Sequence, residues 1–253
     1  MWPVHTVLFS NHTEYPSWRG PVISATDVSQ IIKGVDELGV LGQVDAILTG
    51  YQGSQEIGQA ILDSVELVKK QNPAALFCAD PVLGDFDCGF FADPGVQAFT
   101  RDHVAPIADV LAPNLFELQY LTGRTTRTLA DVLAAADQLR ERGPSVVLIT
   151  SVTADDLAPG VIWMIAVTEE KAVLVQTPLI EQDFVGCGDL TSSMFLTHWM
   201  RTHDLAEALS MTASVVYSVL DATARSGQQE LQLVASQEEI VAPSHRFETS
   251  VLR

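Results

Sequence analysis

In the stretch Asp183-Phe184-Val185-Gly186-Cys187-Gly188-Asp189-Leu190-Thr191, a pair of glycines flanks one small residue. An aspartate follows at the mouth of an apolar-periodic run over 190–200. This spacing predicts a tight turn that feeds a helix N-terminus. Such an end directs backbone N–H groups and the positive pole of the helix dipole outward, which makes an anion site. A carboxylate would repel a phosphate bound there, so Asp189 is poorly suited to holding one. It suits a base that takes a proton from a hydroxyl while the N–H groups hold a transferring phosphoryl group. The same residues also fit a plain Gly-Cys-Gly turn in which Asp189 only caps a helix. Four residues alone do not choose between the two.

The elements around that stretch predict a sheet with helices on it. A strand over 4–9 runs into the polar loop Ser10-Asn11-His12-Thr13, and Thr26-Asp27 caps a helix to about residue 38. A buried strand over 44–49 stops at Gly50-Tyr51-Gln52-Gly53-Ser54. There a long amphipathic helix opens, with Ile57, Ile61, Leu62, Val65 and Val68 on one face. A strand over 74–79 is closed by Asp80-Pro81, and 84–94 is a loop rich in Gly, Asp and Phe. A strand over 110–112 ends at Pro113-Asn114, followed by a short helix to Leu121 and Gly123. A helix over 128–142, a strand over 146–149 and a hairpin of 161–167 with 172–175 come next. Helices over 190–200, 205–224 and 231–241 complete the chain. Strands separated by helices argue for an α/β class with a mainly parallel sheet covered on both faces. With no internal repeat or linker, one domain over 1–253 is expected.

In such sheets ligands collect beyond the carboxyl ends of the strands. Thr13, Tyr51, Asp80, Asn114 and Glu117 all fall at predicted strand ends. Each also has a plain structural reading. Asp80-Pro81 can be a strand-ending turn, Asn114 with Glu117 a capping box, and Tyr51 a packing aromatic. Taken together with 186–189 at the same rim, function explains them better. Asn-x-x-Glu places a carboxylate one turn into a helix, where it suits a hydrated Mg²⁺ beside phosphates.

The net charge of −18, with 14 Lys plus Arg, argues against a nucleic-acid surface. An anionic substrate must then be met by local dipoles, a few cations and a metal ion. Three cysteines, Cys78, Cys88 and Cys187, show no C-x-x-C spacing, so a disulfide framework is not expected. Residues 1–5 lack the basic flank of a secretion signal, and the apolar run over 161–167 is too short to span a bilayer. A cytoplasmic protein without membrane partners is expected.

Phe9-Ser10-Asn11-His12-Thr13, Gly50-Tyr51-Gln52-Gly53-Ser54, Asp80-Pro81-Val82-Leu83-Gly84, Ala112-Pro113-Asn114-Leu115-Phe116-Glu117 and Val185-Gly186-Cys187-Gly188-Asp189-Leu190-Thr191-Ser192 lie in order along the chain. Together with residues 230–237 they resemble the bacterial pyridoxal kinases of the ribokinase-like superfamily. The resemblance implies a three-layer α/β/α fold, a homodimer, and transfer of the ATP γ-phosphate to the 5′-hydroxyl of pyridoxal. It implies Asp189 as the base and Gly186, Cys187 and Gly188 as the anion hole. His12, Thr13 and Tyr51 would contact the pyridine, under a mobile cover formed by 84–94. Asp80, Ala112, Asn114, Glu117, Thr150, Thr177, Pro178 and Leu179 would line the nucleotide. Asp80 and Glu117 would serve Mg²⁺, with a monovalent cation such as K⁺ as a further cofactor. Cys88 either adds reversibly to the aldehyde of pyridoxal or is a spectator.

The chain departs from that family in three places. The family begins with a further strand and helix ahead of the strand matched by 4–9. Thr150 stands where a lysine is common, and 179–185 is shorter than usual. These departures leave open a degenerate vitamer-binding member beside the active kinase. A kinase for another hydroxymethyl heterocycle or a sugar is the third reading, and Tyr51 disfavours the sugar because a flat aromatic ligand suits a tyrosine face.

Overall fold

The computed structural model describes residues 1–13, 15–156 and 158–253. The chain divides into two compact units, Met1–Asp109 and Val110–Arg253.

The first unit contains α1 (Ala25–Glu37), β1 (Ala46–Thr49), α2 (Gln55–Gln71), β2 (Leu76–Ala79), the short strands β3 (Gly84–Asp85) and β4 (Gly89–Phe90), and α3 (Pro94–Phe99). α2 forms because Ser54 caps it, its hydroxyl accepting from the Ile57 N–H at 3.2 Å. Ile57, Ile61, Val65 and Val68 recur at helical spacing and are buried. Each such side chain contributes about 1.5–3 kcal/mol on burial. Gly58 lets α3 approach, since a Cβ there would lie 2.7 Å from the Phe99 ring. β1 and β2 pair in parallel from Ala46↔Leu76 to Thr49↔Ala79. Gly50 and Asp80 therefore leave the same sheet edge side by side.

Several expectations need correction here. The cap of α1 is Ser24, which accepts from the Asp27 N–H and donates to the Asp27 carboxylate, so the helix opens ahead of Thr26-Asp27. β1 is not buried throughout, since Leu48 is 40% exposed. Residues 4–9 do not form a strand element. Their backbone bonds run to the segment at 19–23, through Leu8 N–H to Pro21 O, Ser10 N–H to Arg19 O and Ile23 N–H to Thr6 O. Pro21 has no N–H to return, so the ladder shrinks to a single Val7↔Val22 bridge. The 84–94 loop contains the β3–β4 hairpin, and α3 follows it without having been expected.

The second unit contains β5 (Val110–Leu111), α4 (Leu115–Thr122), α5 (Leu129–Arg140), β6 (Val146–Val152), β7 (Val161–Val167), β8 (Ala172–Pro178), α6 (Cys187–Thr202), α7 (Leu205–Ser226), α8 (Gln237–Val241) and β9 (Thr249–Val251). β5 and β6 are parallel, while β6, β7, β8 and β9 pair antiparallel in turn. The expected 161–167 hairpin is present, and its partner strand runs on to Pro178. β6 to β8 carry the core, with Val147, Leu148, Ile149, Ile165, Val173 and Val175 fully buried. α7 is long and apolar enough to cross a bilayer by length and composition alone. It instead buries Leu205, Leu209, Val215, Val216 and Val219 in this unit, as a core helix does.

The helix expected over 231–241 is mostly turn, with only 237–241 helical. Val234 and Val241 are 84% and 82% exposed, while Leu231 and Ile240 pack against the cluster of Leu190, Val215, Val216 and Val219. The Gln232 N–H is drawn to the Thr223 hydroxyl at 3.1 Å. All three cysteines are free thiols.

Candidate active site

Gly186 caps α6 in the left-handed conformation, φ +89°, which a side chain would strain. The turn it makes is the one expected from the Gly-Cys-Gly-Asp spacing. Cys187, Gly188 and Asp189 form the first turn of α6, where the dipole favours anions. Gly188 and Asp189 are exposed, while Leu190, Thr191 and Ser192 bury beneath them and anchor the helix. The Thr191 hydroxyl donates to Cys187 O at 2.7 Å and the Ser192 hydroxyl to Gly188 O at 3.1 Å. The approach to the turn is tied by Val185, which pairs with Glu230 and donates its N–H to Gln229 O. Asp189 is therefore a solvent-accessible carboxylate on a rigid helical turn beside outward-directed N–H groups.

In the same unit, Asn114 and Glu117 form the expected capping box. The Glu117 N–H donates to Asn114 Oδ1 at 2.8 Å and the Asn114 N–H to Glu117 Oε2 at 2.9 Å. Glu117 is only 3% exposed. Asn114 pairs with Thr150, whose N–H donates to Pro113 O at 3.0 Å. The structure thus brings Asn114, Glu117 and Thr150 together beyond β5 and β6, with Ala112 buried behind them. The pairing Val152↔Trp163↔Gln176 places Thr177 and Pro178 at that same sheet edge, two strands away, or about 10 Å. Thr177 is buried, Leu179 is half exposed, and the Leu179 N–H donates to Gly160 O.

In the first unit, Tyr51 and Asp80 leave the parallel edge of β1 and β2 together. The Asp80 N–H donates to Thr49 O at 2.9 Å, and the Asp80 side chain is largely buried. Tyr51 O accepts from the Thr6 hydroxyl at 2.6 Å. Burial, and then the Asp93 carboxylate, push the Tyr51 phenol above its ordinary range, so it remains a hydrogen-bond donor. His12 and Thr13 are exposed. Cys88 is exposed at the β3–β4 turn, its thiol 3.4 Å from Gly89 O.

Three residues at these edges escaped the sequence reading. A register shift between Ile149 and Val152 holds Ser151 at φ +51°, immediately after Thr150. Bulges of this kind often aim a side chain beside a site. Gln52 is buried next to Tyr51, with both amide atoms lacking a hydrogen-bond partner among the described residues. Val82, two residues after Asp80, sits at φ +45°. Neither the Ser151 bulge nor the Val82 conformation has a marker in residue type.

A profile of the phosphomethylpyrimidine kinase family matches residues 23–233. The chain is 50% identical over 248 residues to a pyridoxal kinase PdxY of Rubrobacter xylanophilus, covering 98% of this chain and 86% of that protein. It is 46% identical to a pyridoxal kinase PdxY of Leifsonia xyli, covering 98% and 88%. In fold it is similar to the pyridoxal kinase of Leishmania donovani in complex with ADP and ginkgotoxin, with TM-score 0.91, 23% identity, and 99% and 88% of the two chains covered. The chain therefore belongs to the phosphomethylpyrimidine kinase family and, within it, to the pyridoxal kinases.

Proposed function

We propose that the chain transfers the γ-phosphoryl group of ATP to the 5′-hydroxyl of pyridoxal, giving pyridoxal 5′-phosphate. The observation that carries this reading is the exposed Asp189 in the first turn of α6, behind the left-handed Gly186. Asp189 takes the hydroxyl proton as the 5′-oxygen attacks the γ-phosphorus. The O–P bond forms, the β–γ bridge breaks, and ADP leaves with the electron pair. The N–H groups of the 186–188 turn face the charge that builds on the transferring group. Gly188, without a side chain, lets that group approach the backbone.

His12, Thr13 and Tyr51 hold the pyridine, with the protonated Tyr51 phenol as donor. Ala112, Asn114, Thr150, Thr177, Pro178 and Leu179 line the nucleotide. Cys88 is either a reversible partner of the aldehyde or a bystander.

Mg²⁺ keeps waters and phosphate oxygens around it and needs one or two carboxylates from the protein. Asp80 and Glu117 supply hard oxygen donors and are the residues that would hold it. When bound, the ion neutralises charge on the phosphates. A monovalent cation such as K⁺, a homodimer, a cytoplasmic location and one working kinase domain over 1–253 complete the proposal.

The test is ATP-dependent phosphorylation of pyridoxal by the purified chain. Asp189→Asn should lower kcat by about 10²–10⁴-fold while leaving the fold intact. Unchanged turnover would remove Asp189 from the chemistry, and a wild-type chain that makes no ester would overturn the whole reading.

A further inference from the structure

Val82 has φ +45°, in the left-handed region where a β-branched side chain crowds its own backbone. A non-glycine residue stays there only when its surroundings over-determine the chain. Both sides of Val82 are anchored. Upstream, the Asp80 N–H is bonded to Thr49 O, extending the β1–β2 register, and Pro81 is buried with its φ fixed by the ring. Downstream, Leu83 is fully buried, and its carbonyl accepts from the N–H groups of Phe91 and Ala92, each at 3.1 Å. Gly84 then pairs with Phe90. Val82 is the residue that links these two anchored stretches.

We propose that Val82 is a positioning residue for the phosphoryl transfer. A Cβ narrows the left-handed well and gives the backbone little room to swing, which glycine would not. It thereby fixes the direction in which Asp80 leaves β2. This rests on the role given above to Asp80 at Mg·ATP. Glycine would relieve the crowding and also release the turn.

Replacement at this position separates stability from function. At ordinary backbone angles alanine is the more stable choice over glycine, because glycine gains more freedom on unfolding. At Val82 the order should reverse, with Val82→Gly melting above Val82→Ala. Val82→Gly should raise the KM for Mg·ATP on the order of tenfold, below the hundredfold that a 1 Å misplacement can bring. Val82→Ala should keep the wild-type KM despite its lower melting temperature. Val82→Asn, a residue at home in the left-handed region, should keep both. A merely structural residue would lose activity in step with stability. Val82→Ala melting above Val82→Gly, or a wild-type KM in Val82→Gly, overturns the proposal. Asp80→Asn tells the two failures apart. If it raises the KM for Mg·ATP while Val82→Gly does not, only the Val82 proposal falls. If Asp80→Asn leaves that KM unchanged, the role of Asp80 falls and this proposal falls with it.

Discussion

His198 lies on α6 with its Nε2 buried and lacking a hydrogen-bond partner among the described residues. Burial first, and then the Arg201 cation, hold its pKa below the usual imidazole range, against a weaker pull from Glu207. The folded chain resists a proton that the unfolded chain takes up below about pH 6.5. The stability from neutral His198 is therefore complete above that pH and drains away as pH falls toward the lowered folded value. Denaturant unfolding at pH 7.5 and pH 5 should show this loss, and His198→Leu should make it smaller. An equal loss in both proteins would assign it to other groups. What could be read at the residue scale depended on whether a residue's partners are close in sequence. Asn114 and Glu117 are three apart and hold each other, so their capping box was legible. Gly186 declared its own backbone angle. The left-handed Val82 and Ser151 are set by anchors far along the chain, and nothing in valine or serine announces them.

α7 begins where Asp204 accepts from the N–H groups of Ala206 at 2.8 Å and Glu207 at 3.1 Å. These bonds, that from Glu207 foremost, hold the Asp204 carboxyl below its usual range. Because α7 carries much of the second unit's core, loss of its cap should be felt throughout that unit. Asp204→Ala should destabilise the protein by about 1 kcal/mol at neutral pH, or lower its melting temperature by about 2–4 °C. The difference from wild type should shrink as pH falls through the carboxylate range, because the protonated cap no longer favours the folded chain. A deficit that persists undiminished at low pH would mean that packing, not the cap, was lost. Elements with a cap and a buried stripe, such as α2 and α7, were legible because both signals lie within one stretch of chain. The segment at 4–9 has the composition of a strand, but pairing needs a partner able to return hydrogen bonds, and Pro21 is not one. The run at 231–241 has helical spacing, but Leu231 and Ile240 reach the core beside α7 while Val234 and Val241 stay exposed, so its helix is confined to 237–241. β9 is a short, polar strand that exists because β8 offers it an edge, at Val175↔Thr249 and Val173↔Val251.

The whole chain carries 32 acidic residues against 14 basic ones, a net charge of −18. ATP, with or without a bound divalent metal, is also an anion, so its approach is opposed at long range. The favourable helix-end dipole acts only within about one turn. Long-range and local terms respond differently to salt. The screening length falls from about 30 Å at 0.01 M to about 8 Å at 0.15 M, which removes distant repulsion and leaves close contacts largely intact. Raising tetramethylammonium chloride over that range should therefore lower the KM for the nucleotide, by roughly two- to tenfold, with little change in kcat. The organic cation avoids confusion with any K⁺ requirement. The KM for pyridoxal, which carries little net charge, should stay level and serves as the internal control. A nucleotide KM that rises with salt would show that a few local cations outweigh the field of the whole molecule. The acidic balance would then be a matter of solubility rather than of how this kinase meets its nucleotide.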